Sequence, residues 1–147
     1  YEVNKLNKVI LDLTFLKQVT LNKYIDAERK NRYAGARLKR LATTYTRNVF
    51  SQAMVDNIAF EWPCKLKLDW YLPDGRIDPD NWAFLKKFIF DGMQTAKVRG
   101  NIFLQNDNIK HIKGFDEDFY IDKSNPRLEI YELIVTKKPS DKNEHCG

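Results

Sequence analysis

Apolar positions between Lys8 and Leu16 alternate with polar ones, so that Val9, Leu11, Leu13 and Phe15 fall on one side. A period of two predicts a strand with one buried face. Gln18 to Lys23 breaks the pattern and reads as a loop. From about Asp26 to Ile58 the period lengthens. Leu38, Leu41, Tyr45, Val49 and Ala53 keep steps of three and four, which predicts a helix with that stripe against the core. Gly35 disfavours helix, so the helix proper is expected to begin near Ala36. Beyond Pro63, alternation returns from Lys65 to Tyr71. Leu66, Leu68 and Trp70 oppose Lys65, Lys67 and Asp69, which predicts a second strand. Leu72-Pro73-Asp74-Gly75-Arg76 has the residues of a turn.

A second helix is expected from Asp78 or Asp80 to about Thr95, with Trp82, Leu85, Ile89 and Met93 as its stripe and Phe84 and Phe88 widening it. A helix this apolar belongs at the centre of the core. Lys97 to Gly100 reads as a basic loop, and a third strand lies within Asn108 to Ile121, with Gly114 as a bulge or turn. After Ser124-Asn125-Pro126, Leu128, Ile130 and Glu132 alternate with Glu129, Tyr131 and Leu133 in a fourth strand ending near Val135. The tail from Lys137 to Gly147 reads as frayed. The order β-α-β-α-β-β gives an α+β fold in which a small mixed four-stranded sheet packs with two main helices.

The chain has 147 residues, 43% of them hydrophobic and 13% aromatic, which suits one folded domain with a real core. No apolar run approaches the roughly 20 residues of a membrane span, and Tyr1-Glu2-Val3-Asn4-Lys5 does not lead into a signal-peptide core. Cys64 and Cys146 have no metal-ligand spacing and read as reduced thiols of a cytoplasmic protein. His111 and His145 are too few and too far apart for zinc. Charge is uneven. Lys23, Arg29, Lys30, Arg32, Arg37, Lys39, Arg40 and Arg47 are opposed in their stretch only by Asp26 and Glu28, an excess larger than the whole chain's +5. Such a segment is either a solvated helix face or a surface that neutralises phosphates.

The candidate chemistry sits at Asp78-Pro79-Asp80-Asn81. Asp at an N-cap, Pro at the first helical position and acid in the first turn make an ordinary helix start. Yet a cap needs one side chain, and here stand two acids and an Asn. Pro79 biases Asp78 towards extended backbone, which lets its carboxylate converge with that of Asp80. A third acid, Asp107, follows a segment long enough to return: about 36 Å at roughly 3.3 Å per residue, against a helix of about 24 Å. Carboxylates alone favour Mg²⁺, with Mn²⁺ able to substitute. Lys86 and Lys87 lie farther along the helix, where either can serve as a phosphate-facing cation or as a solvated lysine.

These residues resemble motifs of the RusA-type Holliday junction resolvases. Thr20-Leu21-Asn22-Lys23-Tyr24 resembles an early Asn-containing motif, Asp78-Pro79-Asp80-Asn81 the Asp-x-Asp-Asn signature, and Phe90-Asp91-Gly92 a Phe-Asp motif in the next helix. Asn106-Asp107 stands where the family carries its third acid, and Pro126-Arg127-Leu128-Glu129-Ile130 resembles its last strand. The resemblance covers most of the chain. It implies a homodimer in a bacterial or phage-infected cytoplasm that resolves four-way DNA junctions by paired, metal-dependent nicks. Asp78, Asp80 and Asp107 would then be catalytic metal ligands. Lys87 would take the place of a functional lysine after an insertion of three residues, with Lys86 not separated from it. Asp91 would be structural. Asn22, Lys23, Arg29, Arg32, Lys39, Arg40 and Arg47 would hold DNA, and Lys97 and Arg99 would flank the active site. A non-catalytic, structure-selective DNA-binding protein, or a metal-dependent nuclease for flaps or duplex, are the alternatives.

Overall fold

Strand β3 (Cys64–Leu72) follows its alternation to the letter: Leu66, Leu68 and Trp70 are fully buried, and the residues between them are half-buried. In this computed structural model, which describes residues 2–3 and 7–134, β3 lies inside a mixed sheet. It pairs parallel with β6 (Ile112–Ile121) and antiparallel with β7 (Arg127–Ile134). The other edge of β7 is shared by β2 (Val9–Asp12) and β1 (Glu2–Val3), both antiparallel. Helices and a small mixed sheet make the fold α+β, as expected. The tail expected from Lys137, with His145 and Cys146, lies outside the described residues.

Register gathers the apolar side chains on one face. Leu68 pairs with Ile130, Trp70 and Leu11 with Leu128, and Val9 with Ile130. Gly114 marks a bulge: β6 pairs Ile112 with Cys64 but Gly114 with Lys65, leaving Lys113 over. Glu132 pairs with Leu66 and so points into the apolar face, where it is 3% exposed and accepts the backbone N–H of Glu61. Burial pushes its carboxyl above the ordinary range, and burial with the Glu132 charge pushes the Cys64 thiol up to about 12. Folding therefore favours protonated Glu132. The stability this contributes is complete below the ordinary carboxylate pKa and is lost as pH rises through the raised one. Glu132→Gln keeps an acceptor for the Glu61 amide and removes the charge. Urea titrations should show the variant gaining on the wild type as pH rises from the ordinary carboxylate pKa through the raised one. Parallel pH profiles would mean that Glu132 does not carry this titration.

The helices depart from expectation in three places. The chain leaves β2 early, because Asp12 caps α1 (Leu13–Leu16) by accepting from the Thr14 N–H at 2.8 Å. Leu13 and Leu16, three apart, are then both buried, and Phe15 is on a helix instead of a strand. A 3₁₀ turn (Lys17–Val19) and α2 (Leu21–Lys30) stand where a loop was expected, so Asn22 and Lys23 are helical. Helix α3 (Arg32–Val55) starts before Gly35, capped by Asn31, which accepts from the Ala34 N–H at 2.8 Å. Gly35 is tolerated inside the helix because α2 passes close: a Cβ there would stand 2.6 Å from Glu28 Cγ.

The buried line of α3 is also displaced. It runs through Gly35, Ala42, Thr46, Phe50 and Ala53, whereas Leu38, Leu41, Tyr45 and Val49 are half-buried. The cause is close packing on α5 (Lys86–Thr95), where a Cβ on Gly92 would lie 2.6 Å from Thr46 Cβ. Close approach selects small residues at the contact and moves larger ones to its margin.

The second predicted helix is real but broken. α4 (Pro79–Ala83) passes into α5 through i→i−3 bonds: Leu85 N–H to Trp82 O at 3.0 Å and Phe88 N–H to Leu85 O at 3.0 Å. Trp82, Leu85, Ile89 and Met93 are nevertheless buried, each contributing on the order of 1.5–3 kcal/mol. The basic loop after α5 is a hairpin of β4 (Lys97–Val98) and β5 (Asn101–Ile102). At its tip Arg99 has φ 54° and Gly100 φ 83°, the pair of positive angles that a two-residue hairpin turn needs. Arg pays for that conformation and Asn does not. Arg99→Asn is expected to stabilise the fold by about 0.5–1 kcal/mol in thermal unfolding. A loss of stability would show that the arginine side chain is anchored. Among the described residues, no helix is long and apolar enough to cross a membrane.

Candidate active site

Strands β3 and β6 are parallel and the chain leaves both at the same end, where the Asp122 N–H donates to Leu72 O at 2.8 Å. The carboxyl end of parallel strands is a common place for a site. From it residues 73–77 lead to Asp78. Pro79 keeps Asp78 extended, at φ −65° and ψ 149°, and occupies the first turn of α4 itself. The Asp78 carbonyl accepts from the Asn81 and Trp82 N–H groups at 3.0 and 3.3 Å. Its carboxylate, by contrast, makes no cap hydrogen bond and is exposed. Asp80 is exposed too, with Oδ1 accepting from the Asn81 N–H at 3.1 Å. The helix start thus leaves the Asp78 carboxylate unused. Two exposed carboxylates, two residues apart, suit a hard cation that keeps water and phosphate among its ligands.

Asp107 does not join them. It lies between Leu104, whose N–H reaches Met93 O at 3.2 Å, and His111, whose carbonyl accepts from the Cys64 N–H at 3.0 Å. Those contacts put it beside the last turn of α5 and the start of β3, whereas Asp78 follows the end of β3. The nine residues of β3 span about 30 Å. The intervening chain is long enough to return, as the sequence allowed, but the β4–β5 hairpin and the docking of Leu104 use up that length. Asn108 organises the turn instead, its Oδ1 accepting from the Lys110 N–H at 3.1 Å. Asn106 and Asp107 are exposed. Among the described residues, no three His, Cys, Asp or Glu side chains form a group able to hold a metal ion.

The two lysines separate cleanly. Lys86 is half-buried, ion-paired to Glu117 and 4.8 Å from the centre of the Phe115 ring. The other Glu117 oxygen accepts from Trp70 Nε1 at 3.1 Å. Lys87 is exposed and makes no ion pair among the described residues. Glu117 went unremarked in the sequence. Its signal was the alternation of Phe115, Glu117 and Phe119, which sets a carboxylate on an apolar face in need of a cation.

A second network, also not foreseen, covers the other face of the sheet. Lys67 lies 2.8 Å from Asp69 and 2.5 Å from Asp118. Burial would lower its pKa, but the two carboxylates outweigh that and raise it. Arg127 bonds Glu129 at 2.6 Å and Asp122 at 2.8 Å, and its guanidinium lies 3.9 Å from the centre of the Tyr71 ring. Burial pushes the Glu129 carboxyl up, yet the hydrogen bonds from Tyr131 and Arg127 and the charge of Lys8 bring it below its ordinary value. The Pro126–Ile130 motif thus closes a structural charge clamp around a carboxylate only 5% exposed.

The candidate DNA contacts are all on the surface. Asn22, Lys23 and Arg29 lie on α2, Arg32, Lys39, Arg40 and Arg47 on α3, and all are exposed. Arg32 rests 5.1 Å from the Tyr33 ring centre. Lys97 and Arg99 are exposed on the β4–β5 hairpin, past the end of α5. They stand at Asp107's end of the sheet and do not flank Asp78, because α4 and α5 together span about 25 Å. Asp91 is half-buried next to the Gly92 contact, in keeping with a structural place. No protein-family model, no curated protein and no solved structure matches the chain.

Proposed function

We propose that this chain is a divalent-metal-dependent endodeoxyribonuclease of the RusA type, acting on four-way DNA junctions as a homodimer. The observation that carries the reading is the Asp78 carboxylate, which stands at a helix start without capping it, beside an equally exposed Asp80. Support comes from the exposed cations of α2 and α3 and from the ordered motifs of the sequence. Asp78 and Asp80 would hold Mg²⁺, or Mn²⁺ in its place. When bound, such an ion polarises a phosphodiester and lowers the pKa of coordinated water. Lys87 would meet the phosphate as an exposed cation, and the α2–α3 cations would position the duplex arms by backbone contacts that carry no sequence information. Asp107 enters this reading through the resemblance alone.

A non-catalytic DNA-binding protein has one observation in its favour: among the described residues, Asp107 stands apart from Asp78 and Asp80 and no three-acid group forms. The two readings part on one experiment: a labelled four-way junction and a matched linear duplex, each with Mg²⁺ or EDTA. Paired symmetric nicks in the junction only, and with metal only, support the resolvase. Metal-indifferent binding without product leaves the binding protein, and cuts in the duplex leave a nuclease of other specificity. Lys87→Ala should lower cleavage about 10²-fold without changing stability. Lys86→Ala should instead cost about 1–2 kcal/mol, because it strips a half-buried Glu117 of its cation. The reverse assignment would move the phosphate contact to Lys86.

A further inference from the structure

Leu38 and Leu41, which helical spacing assigns to the core, border a trough between α3 and the α1–α2 segment. One stretch of about 660 Å³ is lined by Phe15, Lys30, Arg37, Leu38 and Leu41 among others. Phe15, Arg37 and Leu41 also line a second stretch of about 400 Å³ that includes Arg40, so the two adjoin along these three side chains. The floor is apolar. Phe15 is steadied by Tyr45, with ring centroids 4.6 Å apart, and the Tyr45 hydroxyl in turn accepts from the Asp12 N–H at 2.8 Å. The rim is cationic. Lys30, Arg37 and Arg40 are exposed and make no ion pair among the described residues, and Asp26 is the acid on the lining. Arg37 and Arg40 stand one turn apart on the same side of α3, about 4.5 Å along its axis.

We infer that this trough holds a single-stranded nucleic-acid segment, its bases on the Phe15, Leu38 and Leu41 floor and its phosphates on Lys30, Arg37 and Arg40. A duplex hides the faces of its bases and offers the floor nothing, whereas an unpaired strand presents apolar faces and regular negative charge together. The inference rests on the nucleic-acid reading above and deepens it: the protein holds not only duplex arms but also the unpaired nucleotides of an opened branch point.

The test is binding by the full chain in EDTA, read by fluorescence anisotropy. The probes are a labelled thymidine oligonucleotide, an abasic strand of equal length and charge, and a labelled four-way junction. The thymidine strand should bind about tenfold more tightly than the abasic one, as stacking on an aromatic floor supports. Phe15→Leu should erase that ratio while sparing abasic binding. Should that variant not fold, Leu41→Gln at the margin of the floor reads the same ratio. Arg37→Glu with Arg40→Glu should weaken both strands strongly, and Lys113→Glu, an exposed cation away from the trough, only slightly. Equal affinity for thymidine and abasic strands overturns the trough, even if the junction still binds. Failure to bind the junction as well overturns the nucleic-acid reading itself.

Discussion

Asp80→Asn is expected to abolish metal-dependent junction cleavage while leaving junction binding in EDTA unchanged or tighter. The amide retains an oxygen to accept from the Asn81 N–H, the hydrogen bond that the Asp80 side chain makes to the helix start. The fold of α4 should therefore persist, which circular dichroism can verify. What is lost is charge. A metal ion on a phosphoryl oxygen is worth several kcal/mol of transition-state stabilisation, so the rate should fall by about 10³-fold or more. Binding moves the other way, because a negative charge next to phosphate has gone. Asp78→Asn should match it, since the Asp78 carboxylate serves no capping role. Wild-type cleavage by Asp80→Asn would sink the mechanism. Asp107→Asn distinguishes two arrangements: full cleavage means the Asp78–Asp80 pair suffices, and loss means that Asp107 reaches a site from the far end of a sheet, within this chain or across a dimer.

The contrast between those acids shows what a sequence carries. Asp78 was legible because its neighbours dictate it: proline fixes both the residue before it and the helix after it, within four positions. Asp107 was not. Chain length bounds how far a segment can reach but not where it goes, and here a hairpin and the Met93–Leu104 hydrogen bond decided the direction. The same division runs through the fold. β3 and the Trp82–Met93 stripe read correctly because each buries one face continuously. The strand expected up to Leu16 failed because a single Asp12 side chain changes the period from two to three. The core line of α3 failed because distance to a neighbouring helix, which no single-segment pattern contains, decided which residues are innermost.

Gly92→Ala is the sharpest test of that distance, with an expected loss of about 2–3 kcal/mol in urea denaturation. Helix propensity alone predicts a gain of about 1 kcal/mol for this change in a helix interior. The sign of the result therefore reports on the α3–α5 contact and on nothing intrinsic to α5. A Cβ at Gly92 would stand 2.6 Å from both Thr46 Cβ and Cγ2, and 3.0 Å from the Arg47 backbone nitrogen. None of these is the end of a flexible side chain, and Thr46 is fully buried, so the helices must separate along their length. Thr46→Ala removes Cγ2 but keeps Cβ, and in that background Gly92→Ala should recover part of the loss and no more. The consequence reaches the candidate site. Helix α5 begins with Lys86 and Lys87, just beyond Asp78 and Asp80, while α3 carries Arg40 and Arg47. Moving the helices apart shifts the cations against the acidic pair, so the variant should lose cleavage beyond what its unfolded fraction explains. A variant as stable as the wild type would mean that α3 and α5 can part without cost, and Gly92 would then owe its place to something other than close packing.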